Sequence, residues 1–176
     1  MDTLPPWAKK NILVLGCGNV LYGDDGFGPA VAEHLDTHYA LPDDVLVMDV
    51  GLSARDILFD VALSEQVPRQ IIVVDALDCG RTPGEVFELA LESIPVNKTD
   101  DFSVHQVPSS NLLRELRDLR KIDVHLCGGQ TARIPPEVEP GLTEVMKEAV
   151  ARAARMIYDK YLKRGEHGGN ARDDRH

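Results

Sequence analysis

The chain alternates short, wholly apolar runs with longer segments whose apolar residues recur at helical spacing. Ile12 to Leu15 has no polar alternation, the pattern of a strand buried on both faces of a parallel sheet, and is expected as the central strand. A glycine-rich stretch follows, and Pro29, Ala30, Val31 and Leu35 then open a helix that should run to about Tyr39, with Pro29 tolerated in its first turn. Val45 to Val50 reads as a second strand. Ser53 is placed to cap a helix carrying Ile57, Leu58, Val61 and Ala62, which Pro68 stops. Gln70 to Ala76 holds the strongest strand signal, the β-branched run Ile71-Ile72-Val73-Val74, and Glu85 to Leu89 alternates like a half-exposed edge strand.

Residues 95–108 are long and irregular, a kind of loop that is often functional inside a compact domain, and they carry His105. Ser109 or Ser110 can cap a helix with Leu112, Leu113, Leu116 and Leu119 on one face. Asp123 to Cys127 predicts a fifth strand, and Thr143 to Lys163 the longest helix, buried through Leu142, Val145, Met146, Ala149, Val150, Ala153, Met156 and Ile157. The alternation of strand and helix predicts one α/β domain over residues 1–164, a three-layer α/β/α sandwich around a mostly parallel, twisted sheet of about five strands. Residues 165–176 read as a disordered polar tail.

Composition narrows the partners. A length of 176 residues with 43% hydrophobic content suits one domain with a substantial core. The net charge of -10 argues against nucleic acid and anionic membranes, whose binding rests on Lys and Arg. No run approaches the roughly 20 apolar residues of a membrane span, and the first residues lack a signal-peptide core, so a cytoplasmic location is expected. Cys17, Cys79 and Cys127 are far apart without any C-x-x-C, and are expected as reduced, buried apolar residues.

The candidate chemistry lies where strands end, because ligands of such sheets bind beyond the carboxyl ends of the strands. Asp24-Asp25 follow the first strand, Asp49 ends the second and Asp75 the third, so acids distant in sequence should converge. A dinucleotide fingerprint requires a third glycine where Leu21 stands, and two carboxylates at a helix N-terminus repel a phosphate. They could instead cap the helix or offer oxygen ligands to a cation. Asp75 has no propensity reason to follow Ile-Ile-Val-Val, and its alternative role is a cap on the next turn. His105 with two carboxylates would suit a borderline divalent ion. His125 reads as a satisfied strand residue, and His34 and His38, one turn apart, as a solvated helix face or a metal pair without a third ligand. His167 and His176 fall in the tail. Signatures of common serine and zinc hydrolases are absent from the sequence.

Taken in order, Gly16-x-Gly18-Asn19-x-Leu21-x-x-Asp24-Asp25-Gly26-x-Gly28, Asp49-x-Gly51, Val74-Asp75-Ala76 and His105-Gln106 resemble the hydrogenase maturation endopeptidase family, from about Asn11 to about Tyr161. The wording around Asp24 to Pro29 and Ser53 to Asp56 is most similar to members serving the coenzyme F-420-reducing hydrogenase. The resemblance implies a peptidase that removes the C-terminal extension of a nickel-loaded [NiFe] hydrogenase large-subunit precursor. It places the nickel-contacting and catalytic positions on Asp25, Asp75 and His105. It implies no resident metal and no nucleotide; nickel arrives transiently in the substrate. One departure is Leu52-Ser53 after Gly51, where the family commonly has Thr after the glycine. Asp49 could orient a ligand from behind. A non-enzymatic nickel chaperone would use the same ligands, and a nucleotide-binding α/β enzyme would share the sheet and the glycine-rich loop.

Overall fold

The computed structural model describes residues 4–94 and 110–164. Five strands, β1 (Ile12–Cys17), β2 (Val45–Gly51), β3 (Gln70–Leu77), β4 (Val86–Leu89) and β5 (Asp123–Gln130), form one sheet in the order β2-β1-β3-β5-β4. The β1, β2, β3 and β5 strands run parallel, and β4 joins β5 antiparallel at one edge. The expected α/β/α architecture is therefore present. Its middle strand is β3 rather than β1, because β5 extends the sheet on the far side of β3; β1 lies one place away and is nonetheless buried along its whole length.

Helices α1 (Phe27–His38), α2 (Ala54–Leu63), α3 (Ser110–Asp118) and α4 (Glu144–Ile157) complete the layers. Two apolar cores result. One joins Leu13, Leu15, Ile71 and Val73 to Leu58 and Val61 of α2 and to Leu113 and Leu116 of α3. The other joins Val14, Ile72 and Val74 to Val31 and Leu35 of α1 and to Met146, Ala149 and Ile157 of α4. Successive strand residues thus serve opposite faces, which is why an unbroken apolar run was needed.

Several local expectations differ. Ser53 sits at the N-cap position of α2 without a side-chain cap; its carbonyl accepts from Ile57 N–H at 3.2 Å. The α2 helix ends at Leu63, ahead of Pro68. Leu119 lies beyond the end of α3 and is exposed, where Lys121 turns the chain at a φ of 59°. Val145 is exposed in the first turn of α4, and the helix proper ends at Ile157, followed by a π turn over Tyr158–Leu162. The β5 strand runs on through Gly128 and Gly129, which admit the rings of Phe87 and Phe27 where a Cβ would meet them below 3.0 Å.

The contact of greatest consequence for the site is between β1 and the start of α1. A Cβ on Gly16 would lie 2.3 Å from Gly28 O, and one on Gly28 would lie 2.1 Å from Cys17 O and 2.5 Å from Val74 O. Backbone therefore meets backbone, and the turn before α1 is seated against the ends of β1 and β3. No described helix is long and apolar enough to cross a membrane.

Candidate functional site

The turn that carries the acidic pair is a 3-10 turn, Gly23–Gly26, leading straight into α1. Its two carboxylates are buried, with 0% exposure for Asp24 and 1% for Asp25, and neither caps the helix. They point to different partners. Asp24 Oδ2 accepts the N–H groups of Ala132 and Arg133 at 2.9 and 2.8 Å, and Asp24 Oδ1 accepts the N–H and hydroxyl of Thr143 at 2.7 and 2.9 Å. This residue laces the proline-containing segment 131–143 to the loop after β1. Backbone bonds from Gly23 N–H to Glu139 O and from Glu139 N–H to Leu21 O continue the lacing.

Asp25 remains at the sheet end. Its Oδ2 accepts Asn19 N–H at 2.9 Å, and Asn19 Oδ1 accepts Leu21 N–H at 3.0 Å, so the Gly18-Asn19 loop shapes itself around this carboxylate. Gly18, at a φ of 130°, has Asp25 O only 2.0 Å from where a Cβ would be. Asp75, near the end of β3, is 2% exposed, and its Oδ1 accepts Ala76 N–H at 2.8 Å. Burial, and secondarily the nearby charge of Asp25, push the Asp75 carboxyl well above its ordinary value. These two sequence-predicted residues are thus brought together. His105 falls outside the described residues.

The carboxylate of Asp49 is exposed and accepts Gly51 N–H at 3.0 Å, shaping the turn at the end of β2. It flanks the same region, because burial first, then Asp75 and Asp49, push the Cys17 thiol well above its usual range. Cys17 and Cys127 are buried free thiols as expected, whereas Cys79 is only partly covered. His125 lies on β5 with Nδ1 3.1 Å from Tyr161 Oη and Nε2 2.9 Å from an Asp123 carboxylate oxygen.

Sequence reasoning missed Gln130. It is 3% exposed; its Oε1 accepts the N–H groups of Cys79 and Arg81, and its Nε2 donates to Asp78 Oδ1 and Thr131 O. It fixes the loop after β3, close to Asp75. A glutamine after two glycines carries no signal that would have marked it.

Two buried carboxylates whose charges oppose each other suit a cation and oppose an anion. Among the described residues no set of three or more His, Cys, Asp or Glu side chains could hold a metal ion. Asp24 and Asp25, in the turn before α1, disfavour the phosphate of a nucleotide there.

The profile described as hydrogenase maturation protease matches residues 29–160. The chain belongs to this family. Over 153 residues the maturation protease is 37% identical to the coenzyme F420 hydrogenase subunit delta of Methanothermobacter thermautotrophicus, covering 85% of this chain and 93% of that one. It is 31% identical over 149 residues to the hydrogenase 2 maturation protease of Escherichia coli, covering 83% and 87%. The structure of the hydrogenase maturating endopeptidase HybD of E. coli aligns with a TM-score of 0.68 and 29% identity, over 85% of this chain and 90% of that chain. The protein is accordingly a hydrolase of peptide bonds, built on the fold of those proteases.

Proposed function

We propose that this maturation protease removes the C-terminal extension of a nickel-loaded [NiFe] hydrogenase large-subunit precursor, and that Asp25, Asp75 and His105 contact the nickel carried by that substrate. Processing of a hydrogenase large subunit is the family's activity; the nickel contact rests on the carboxylate pair. The observation that carries it is the burial of Asp25 and Asp75 together at the sheet end. Like charges so placed disfavour each other until a cation shares them.

The residues divide the work. Asn19 N–H holds Asp25, Ala76 N–H holds Asp75, and Gly28 against Val74 O seats the start of α1, just after Asp25, on the strand that carries Asp75. Without substrate the raised pKa favours a proton on Asp75, and a divalent cation displaces it. Two carboxylates and one imidazole form a weak site unless the substrate adds ligands, which fits a reader of nickel loading better than a resident metal centre. A cation held there fixes the adjoining peptide for hydrolysis. The chain acts in the cytoplasm on this reading.

The test is incubation with nickel-loaded precursor and with nickel-free precursor, followed by size analysis. Cleavage of the loaded form alone is expected, with chelator-treated and then desalted enzyme as active as untreated enzyme. Binding of nickel without any size change would make the protein a chaperone instead. Activity that returned only when metal was restored to the enzyme would make it a conventional metallopeptidase.

A further inference from the structure

The acids of the site precede α1; near the other end of that helix stand His34 and His38. One helical turn separates them, and their rings stack with centroids 4.1 Å apart and planes inclined at 16°. Each ring is held. His38 Nδ1 lies 3.1 Å from His34 O, and a carbonyl oxygen can only accept, so Nδ1 carries the proton and the lone pair of the neutral ring is on Nε2. Metal-ligating imidazoles are characteristically oriented in this way, with the other ring nitrogen tied to a carbonyl or carboxylate. His34 is half-buried, its ring tilted over Tyr39 at 6.3 Å, and Tyr39 packs on Tyr158 at 4.5 Å.

We propose that His34 and His38 form a surface site for a borderline divalent cation such as Ni2+ or Zn2+, bound by one nitrogen from each ring, with water filling the remaining positions. Imidazole is the side chain such ions favour among those exposed on this helix. Both rings are on one helix face, one turn apart with centroids 4.1 Å from each other, within reach of a single ion held at ~2.1 Å from one nitrogen of each. Two protein ligands make a weaker site than the three or four of catalytic and structural zinc centres. Occupancy ties the last turn of α1 across its hydrogen-bond ladder and stabilises the folded chain by mass action. The site shares no residue with the Asp25 and Asp75 pair, so it stands whether or not those acids contact nickel.

The full chain, with its six histidines, is titrated with Ni2+ while the imidazole proton resonances are followed by NMR. Single His→Gln variants assign the signals. Paramagnetic broadening should appear first at His34 and His38, and His38→Gln should weaken Ni2+ binding by about tenfold, equivalent to ~1.4 kcal/mol. The double variant H34Q/H38Q should process precursor at the wild-type rate and lose the Ni2+-induced rise in melting temperature, whereas Asp75→Asn should keep both the broadening and that rise. First broadening at other histidines, or unchanged Ni2+ affinity in the folded double variant, would overturn the site.

Discussion

Thr143, at the N-cap of α4, donates both its N–H and its hydroxyl to Asp24, a residue 119 positions earlier in the chain. Asp24 and Asp25 are neighbours in sequence with separate tasks. An amide at position 24 presents an NH2 to donors that now meet carboxylate oxygens, so Asp24→Asn should cost about 2–3 kcal/mol. Thermal unfolding should show a melting point lower by roughly 4–12 °C. Asp25→Asn should melt much closer to the wild type and abolish processing. Equal melting points for Asp24→Asn and wild type would dismiss the lacing role.

Gly28 offers a sharper test of how the site is seated. Its missing side chain leaves room for Cys17 O at 2.1 Å and Val74 O at 2.5 Å, both backbone atoms unable to swing aside. Gly28→Ala must therefore separate α1 from the sheet, and a loss above about 4 kcal/mol is expected, the range reserved for such changes. Gly80 is the control. It has a φ of +68° and nothing within 4 Å of a built Cβ, so Gly80→Ala should cost only the ~1 kcal/mol of a left-handed conformation. Urea unfolding of the two variants measures the contrast; similar midpoints would refute the close-packing argument.

The sheet was legible because its strands needed apolar residues on both faces, and β3 with Ile71 to Val74 could be little else. Strand order was less so, since the apolar run of β1 reports burial and not which neighbour lies beyond β3. Asp75 stood out as an acid directly after an apolar run, and Asp25 as one of an acidic pair before the first helix. The distinct role of Asp24 did not, because its donors lie on segment 131–143, a contact that local sequence cannot encode. Gln130 was silent for the same reason: its partners belong to a different loop.

The thiols should divide by burial. Burial pushes Cys127 up to about 12, and Cys17 is raised well above its usual range by burial and the nearby acids. Cys79 is partly covered and is raised as well, by its incomplete burial. Since the thiolate is the reactive species, a thiol reagent at mildly alkaline pH should modify Cys79 first in the native protein, and the other two only on unfolding. Mass spectrometry of the labelled peptides checks this; rapid native labelling of Cys17 would contradict its buried position beside Asp75.

Asp75 links the site to stability. Its folded-state pKa is raised above the ordinary 3.8, by burial first and then by Asp25. In the window between 3.8 and the folded value, the folded chain binds more protons than the unfolded chain, so stability falls as pH rises through it. Below the unfolded value the contribution is fully favourable; above the folded value it is lost. Each unit of displacement is worth about 1.4 kcal/mol. Asp75→Asn is neutral at every pH and keeps an oxygen to accept Ala76 N–H, now bonded at 2.8 Å. With chelator present and no substrate, the variant should therefore resist urea better than the wild type at neutral pH, and the gap should close as the pH is lowered toward 3.8. The same variant should process precursor poorly, since a cation needs the carboxylate that folding disfavours. Greater stability of the wild type at neutral pH without metal would mean that Asp75 is stabilised by a partner in the free enzyme, and the argument that the pair waits for a cation would fail.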